Sequence, residues 1–280
     1  MLSKKQLNEF NDCGFLVIKN FYDYESEIKP IQYDIWRIIQ VINNKYKIKS
    51  LNKTFNTNSF HHDLQNIISH KREYCGEIYD AVKQLTSFKR LVSSENNEKL
   101  FCLLRKTDLC GISLGGYGIR IDNPNEEKFR SLWHYEYRDQ LRSTDGLVFW
   151  SPLVKITKDI GPVKICSKSH KDGLRKSFSS DIDNPDKSGV YGMRLENEKQ
   201  IISKYKILEP LIDPSDLLIM DFLTLHSSGV NYSKTSRLSM QFRYFNFLHK
   251  SGIDIAWAGC KTKDPELKLI HPELIIEKND

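Results

Sequence analysis

The pattern that follows the glycine pair Gly115 and Gly116 constrains the fold more than any other feature of the sequence. Seven short β-like runs come after it, separated by clusters of Gly, Pro, Asn and Asp, at 117–121, 131–137, 146–156, 162–167, 206–212, 216–223 and 236–248. Such runs with turn signals between them predict an antiparallel sandwich or barrel. The polar segment 177–199 predicts a long loop between strands, and loops of this length are commonly functional lids.

The residues before this region predict mainly helix. Ser3 is a candidate N-cap for a short helix that closes at Gly14, and the run 15–21 predicts a strand. Isoleucines recur at helical spacing between residues 24 and 47, and a second helix is predicted over 70–91.

Composition excludes several classes of protein. The chain has 280 residues, of which 39% are hydrophobic and 28% charged, as in an ordinary globular protein with a substantial core. The net charge of +6 is too small for a dedicated nucleic-acid binder and slightly favours an anionic small-molecule substrate. The six cysteines are scattered singly, and neither a signal peptide nor a long apolar segment is visible. We therefore expect a cytoplasmic protein without nucleic-acid or membrane partners; the sequence indicates no oligomeric state.

Side chains alternate strictly along the last β-like run. The apolar face holds Leu238, Met240, Phe242 and Tyr244, and the polar face holds Arg237, Ser239, Gln241 and Arg243. Two interpretations are open: the polar face meets water, or it lines a hydrated internal cavity.

Three residues form a candidate metal site. In a strand, His134 and Glu136 would point to the same face, and His226 follows after enough chain for several strands. Two histidines and one carboxylate leave positions open on a metal, as in non-haem Fe(II) oxygenases.

An isolated H-x-E pair is common by chance, but Arg237 supports the site. It follows His226 by eleven residues, and a hairpin would place both on neighbouring strands, where the arginine suits a carboxylate ligand.

With these motifs the sequence resembles the phytanoyl-CoA dioxygenase-like family of Fe(II)/2-oxoglutarate-dependent oxygenases. The resemblance runs from GFLVIKNF, which begins at residue 14, to about residue 247. It is carried by three ordered motifs: WHYEY around His134, GLVFWSPLVKITKDIGPVKICSKSHKDG at 146–173, and LHSSGVNYSKTSR at 225–237.

The resemblance implies a fold that is mainly β with flanking α. Its core is a double-stranded β-helix (a cupin-like jelly roll), with the N-terminal helices packed on one sheet. We expect a single domain over 1–280, with a mainly helical part at 1–110, the jelly roll at 111–250 and a C-terminal extension at 251–280.

The resemblance also implies an activity and the residues that serve it. The expected enzyme is a dioxygenase that hydroxylates a small molecule with dioxygen, releasing succinate and CO₂. His134, Glu136 and His226 are implied to bind Fe(II), and Arg237 to bind the distal carboxylate of 2-oxoglutarate. The other cofactor-binding residues are expected to be Ser228 beside Arg237, Trp150 in the co-substrate pocket, and Arg120, which reaches either 2-oxoglutarate or substrate.

One residue departs from the family pattern, which usually has Asp where this sequence has Glu136. Two alternatives stay open: a catalytically silent jelly-roll binding module, and a cupin-type isomerase or epimerase.

Other conspicuous residues have structural interpretations. His170 is expected in a turn near the pocket, His61 and His62 at a solvated helix start, and a basic cluster on a solvated face rather than at the pocket mouth; the cluster comprises Lys164, Lys168, Lys171, Arg175 and Lys176.

Overall fold

An antiparallel sheet of six strands forms the centre of the fold. A computed structural model describes residues 2–178, 193–259 and 265–276. Its helices are α1 (Lys4–Cys13), α2 (Lys29–Lys45), α3 (Asp63–His70), α4 (Arg72–Val82), α5 (Thr86–Val92), α6 (Glu95–Arg105), α7 (Glu136–Gln140), α8 (Glu198–Ile202), α9 (Lys250–Ile253) and α10 (Pro265–Ile270). Its strands are β1 (Phe15–Ile18), β2 (Cys110–Ile112), β3 (Gly118–Asp122), β4 (Gly146–Pro152), β5 (Val163–Cys166), β6 (Ser177–Phe178), β7 (Arg194–Leu195), β8 (Ile207–Leu208), β9 (Leu217–Asp221), β10 (His226–Ser228), β11 (Arg237–Asn246) and β12 (Ile275–Ile276).

The long strand β11 lies inside the central sheet. The strand order is β1–β9–β4–β11–β2, and β3 also pairs with β11. Phe242 of β11 lies opposite Phe149 of β4, and the two rings stack with centroids 5.5 Å apart. Because β11 has partners along its length, its backbone hydrogen bonds are satisfied within the sheet.

Two smaller sheets complete the strand pairing. The first has the order β10–β5–β8 and is antiparallel, and the second has the order β12–β6–β7. The described residues therefore mix helix with largely antiparallel sheet, rather than being mainly β, because the N-terminal third is helical. The antiparallel character predicted from the short strands is confirmed.

The N-terminal helices pack on one another and on the central sheet. Helix α2 buries Ile31, Ile35 and Ile39 against α3, α4 and α5. Helices α1, α4 and α6 contact strands β1, β3 and β2, respectively. The predicted capping of α1 is confirmed: Ser3 forms a capping box with Gln6, and the chain leaves the helix through a left-handed residue after Cys13.

The predicted single helix over 70–91 is wrong, because α4 and α5 are separate. Leu85 has an extended backbone with ψ of 128°, which interrupts the helical hydrogen bonds. After this turn, Phe88 and Leu91 of α5 are buried, and the Ser87 hydroxyl donates to Asp34 of α2 at 2.7 Å. The chain thus turns where α5 can bury its own apolar face against α2.

Three of the four residues on the polar face of β11 are buried, and Gln241 is half-buried. Arg237 and Ser239 are 2% and 1% exposed, respectively, and Arg243 is also buried. Of the two interpretations of the alternating pattern, the internal cavity is therefore confirmed, since Arg237, Gln241 and Arg243 line one.

The predicted lid at 177–199 is described only at its ends. Strands β6 and β7 pair at its base, and residues 179–192 lie outside the described residues. The role of a lid stays a prediction. In the described part of the chain, no helix combines the length and the apolar composition needed to cross a membrane.

Candidate metal centre

A cavity of about 290 Å³ lies between the central sheet and the sheet β10–β5–β8. Strands β3, β4, β9 and β11 of the central sheet supply one side of its lining, and strands β5 and β10 supply another. Helices α4 and α7 and the loops contribute the remainder. All seven residues predicted for the site line this cavity: Arg120, His134, Glu136, Trp150, His226, Ser228 and Arg237.

His134, Glu136 and His226 meet at this cavity. Each offers a ligand atom, and these three atoms lie within 4.8 Å of one another. The two histidines are held by their own backbones, because each N–H donates to the carbonyl of the other at 3.0 Å.

The expectation that His134 and Glu136 share one strand is wrong. His134 forms only an isolated bridge with His226, whereas Glu136 is the first residue of α7. The backbone N–H groups of Glu136 and Tyr137 both donate to the carbonyl of Phe222, at 2.8 and 3.2 Å, which turns the chain into the helix. The two side chains therefore converge through a turn into a helix and not through strand alternation.

Hydrogen bonds select the ring nitrogen that each histidine offers. Nδ1 of His134 lies 2.7 Å from the carbonyl of Leu132, and Nδ1 of His226 lies 2.9 Å from that of Thr224. Because a carbonyl can only accept, each Nδ1 carries a proton and each Nε2 keeps its lone pair. Burial lowers the pKa of both rings, and with the neighbouring His134 it brings the pKa of His226 to about 4. Both rings are thus in the neutral form that binds metals.

Glu136 completes the donor set. Burial alone raises the pKa of its carboxyl, but the charge of Arg243 and the contributions of His134 and His226 outweigh burial and hold the pKa at about 2. Arg243 donates to Oε1, while Oε2 is buried without a partner. A buried carboxylate oxygen without a partner is costly unless something binds it. Two neutral imidazoles and this oxygen fit a divalent transition metal.

Arg237 lies in the same cavity but in a different setting from the one expected. Strand β10, which begins at His226, pairs with β5, whereas Arg237 begins β11 in the central sheet, so the predicted hairpin is wrong. The chain crosses between sheets because Gly229 packs directly against Gly161 and Pro162, where a Cβ would meet a carbonyl oxygen at 2.4 Å. Both residues nevertheless reach the cavity.

The Arg237 guanidinium is held by Asp122 and by backbone. Oδ2 of Asp122 lies 3.0 Å from Nη2 and 3.3 Å from Nε, and Nη1 donates to the carbonyl of Gly161. Burial raises the pKa of Asp122, but the charges of Arg120 and Arg237 outweigh it and lower the pKa to about 2. Asp122 is thus a charged acceptor for both arginines.

The other predicted cofactor-binding residues differ in their contacts. Arg120 donates to Oδ1 of Asp122 at 2.6 Å and to the carbonyl of Phe129 at 3.0 Å. Trp150 lies opposite Gln241 in the central sheet, and Ser228 lies opposite Val163 in the facing sheet.

Sequence reasoning missed the parts played by two residues at the site. Asp122 stands two residues after Arg120, so strand periodicity places both on one face and could have indicated it. Arg243 was noted on the polar face of β11, but nothing in the sequence pairs it with Glu136.

The remaining conspicuous residues lie away from the metal centre. His170 is expected in a turn near the pocket; it lies in a short 3₁₀ helix, Ser169–Asp172, where its Nε2 contacts the carbonyl of Asn11, and it does not line the cavity. His62 is exposed, but His61 is only 5% exposed, so its predicted solvation is wrong; the helix start buries it beside Phe60. None of the basic cluster lines the cavity, and four of its five members pair with acidic or phenolic groups: Lys168 and Lys171 bind Asp12, Lys164 binds Glu209, and Arg175 contacts Asp172 and Tyr205. Arg175 is buried, so the expected solvated face is wrong for this residue.

Solved structures similar to this one include enzymes described as alpha-ketoglutarate-dependent or solved with bound iron. The non-haem alpha-ketoglutarate-dependent carbocyclase SnoK from nogalamycin biosynthesis is 12% identical over 88% of this chain and 84% of its own, with a TM-score of 0.56. The epimerase SnoN, in complex with Fe³⁺, alpha-ketoglutarate and nogalamycin RO, is 11% identical over 87% and 83%, with a TM-score of 0.57. EctD from S. alaskensis, with bound Fe, is 13% identical over 87% and 76%, with a TM-score of 0.52.

The chain shares their fold. Its sequence matches no protein-family model and no curated protein.

Proposed function

We propose that this protein is an Fe(II)/2-oxoglutarate-dependent dioxygenase of the phytanoyl-CoA dioxygenase-like family that hydroxylates a small molecule. One observation carries the proposal: two neutral histidines offer Nε2 beside a buried carboxylate oxygen of Glu136 that has no partner. The presence of the buried Arg237 in the same cavity extends this to an anionic co-substrate.

The proposed fold follows from where the cavity lies. The central sheet and the sheet β10–β5–β8 line it together, as the two halves of a double-stranded β-helix would. We assign residues 1–280 to one oxygenase domain with this core.

The residues of the cavity have separate tasks in this proposal. His134, Glu136 and His226 hold Fe(II), which when bound would supply dioxygen activation coupled to the oxidation of 2-oxoglutarate to succinate and CO₂. Arg237 binds the far carboxylate of 2-oxoglutarate, because a guanidinium suits a planar carboxylate. Asp122 occupies its Nε–Nη2 edge and the carbonyl of Gly161 accepts from Nη1, so the guanidinium is held in a fixed orientation in the cavity. Trp150, Ser228 and Arg120 complete the pocket.

The structural neighbours support this cofactor pair. SnoN was solved with Fe³⁺ and alpha-ketoglutarate, and EctD with bound Fe in one structure and with 2-oxoglutarate and 5-hydroxyectoine in another. The neighbours also include a carbocyclase and an epimerase, so the same site supports more than one outcome. Epimerisation by the same cofactors is therefore the second candidate function.

Succinate release tests the proposal. Purified protein is supplied anaerobically with Fe(II), exposed to air with 2-oxoglutarate and a panel of small anionic and neutral metabolites, and assayed for succinate. We expect release that depends on iron and 2-oxoglutarate, and a product that contains one oxygen atom from labelled O₂. A product of unchanged mass would favour the epimerase. Turnover without 2-oxoglutarate would favour a cupin-type isomerase, and the absence of both iron binding and turnover would favour a silent binding module.

A further inference from the structure

The guanidinium of Arg243 is directed at a single oxygen of Glu136. Nε of Arg243 donates to Oε1 at 2.8 Å, and Nη2 donates to the same oxygen. The other carboxylate oxygen, Oε2, receives no hydrogen bond and is buried. Arg243 therefore binds one carboxylate oxygen of Glu136 and leaves the other oxygen without a protein partner.

Arg243 is itself held in place. It is 8% exposed, Nη1 donates to the carbonyl of Gly116 at 3.1 Å, and Nη2 lies 3.3 Å from Oε1 of Gln241. Strand β11, which carries Arg243, has neighbours on both edges. These contacts hold the guanidinium in one position, so it can fix the orientation of the Glu136 side chain that it binds.

A glutamate that binds a metal needs an orienting contact of this kind more than an aspartate does. The extra methylene adds one rotatable bond between the backbone and the carboxylate, so more rotamers must be restricted before an oxygen lies beside the two histidines. Here Glu136 begins a helix of five residues, and among the described residues only Arg243 forms hydrogen bonds with its side chain. The contact with Arg243 supplies the restraint.

We propose that Arg243 is a positioning residue for the metal centre. By holding Oε1, it orients Glu136 so that Oε2 alone is presented to the metal, which leaves the remaining metal positions for co-substrate and dioxygen. This inference rests on the proposed function, because it assumes that His134, Glu136 and His226 bind a metal.

Metal affinity tests the inference without requiring turnover. The affinity for Mn(II), a redox-stable substitute for Fe(II), is measured by isothermal titration calorimetry in the absence of 2-oxoglutarate. Replacing a residue that orients a metal ligand typically costs 10–100-fold in affinity. We expect a loss in this range for Arg243→Gln and for Arg243→Lys, which keeps the charge but lacks the two-pronged geometry. The matched control is Arg105→Gln, because Arg105 is a largely buried arginine that pairs with Asp145 and Asp221 outside the cavity, and it should retain the wild-type Mn(II) affinity.

A double-mutant cycle separates positioning from general disruption. In a Glu136→Asp background, which keeps a carboxylate ligand, Arg243→Lys should cause a smaller loss of Mn(II) affinity than in wild type, because the shorter side chain has one rotatable bond fewer to restrict. An equal loss in both backgrounds would overturn the inference. So would wild-type Mn(II) affinity in both Arg243 variants, whether or not the 2-oxoglutarate constant rises. If Arg243→Gln does not fold, the Arg243→Lys cycle decides alone. Failure of wild-type protein to bind Mn(II) would instead refute the proposed function.

Discussion

Oδ2 of Asp122 accepts hydrogen bonds from one edge of the Arg237 guanidinium, at 3.0 Å from Nη2 and 3.3 Å from Nε. Arg237 is 2% exposed and begins the strand that lines the cavity. The residue proposed to bind 2-oxoglutarate is thus already oriented by a protein carboxylate, which in turn binds Arg120.

Asp122→Asn tests whether this orientation matters for the co-substrate. The asparagine amide has nearly the same size as the aspartate carboxylate, but its NH₂ group cannot accept hydrogen bonds from the guanidinium. The contact that orients Arg237 is therefore weakened. We expect the apparent 2-oxoglutarate constant to rise about 10-fold, equivalent to about 1.4 kcal/mol, with unchanged Mn(II) affinity. Asp216→Asn is the control, because Asp216 is a buried carboxylate that binds Lys19 outside the cavity. An unchanged or lower constant in Asp122→Asn would restrict Asp122 to a role in folding.

The same aspartate makes stability depend on pH in the acid range. The pKa of Asp122 is lowered from 3.8 to about 2, so its ionised form stabilises the folded state above the unfolded pKa and ceases to do so as pH falls through the folded pKa. The shift corresponds to about 2 kcal/mol. We expect the difference in free energy of unfolding between wild type and Asp122→Asn to shrink by about half between about pH 6 and pH 3. Urea unfolding followed by circular dichroism measures it; a difference that does not vary with pH would contradict the assigned shift.

Arg237→Ala should weaken 2-oxoglutarate binding strongly. Removing one partner of a buried charged pair costs about 2–5 kcal/mol, so the apparent 2-oxoglutarate constant should rise roughly 30-fold or more. Arg237→Lys should be intermediate, since it keeps the charge without the planar fork. Steady-state succinate release measures both constants. Arg105→Ala is the control, because Arg105 is a largely buried arginine that pairs with Asp145 and Asp221 outside the cavity. If the constant rises equally in the control, the effect is one of stability.

His134→Ala and His226→Ala should each abolish tight metal binding while the fold persists. Each substitution removes one of three ligands from a site with open positions. Iron content after anaerobic reconstitution measures the loss, and far-ultraviolet circular dichroism checks the fold. His170→Ala is the control, because His170 contacts the backbone of Asn11 and does not line the cavity. Normal iron content in either ligand variant would refute the site.

Short-range patterns identified most of the candidate residues. Period-two alternation correctly marked the polar face of β11, and the H-x-E pair with a later histidine marked the three residues that meet at the cavity. The alternation does not state whether water or another sheet faces the polar side chains. The burial of Ser239 and Arg237 answers that for these two residues, and Arg237 lies in a cavity that residues of the second sheet also line.

The sequence by itself determined the local features: the capped first helix, the isoleucine face of α2, the short antiparallel strands and the residue types available for a metal site. Only the tertiary structure decided which charges meet. Glu136 and Arg243 lie 107 positions apart, and Asp122 and Arg237 lie 115 apart. Periodicity reports the direction of a side chain within its own element, whereas these pairs depend on how a helix start and two strands are brought around one cavity. The register of β3 on β11 places Asp122 opposite Arg237, and the position of α7 beside β11 places Glu136 against Arg243. These two long-range placements determined which carboxylate each arginine binds, and with it the geometry of the site.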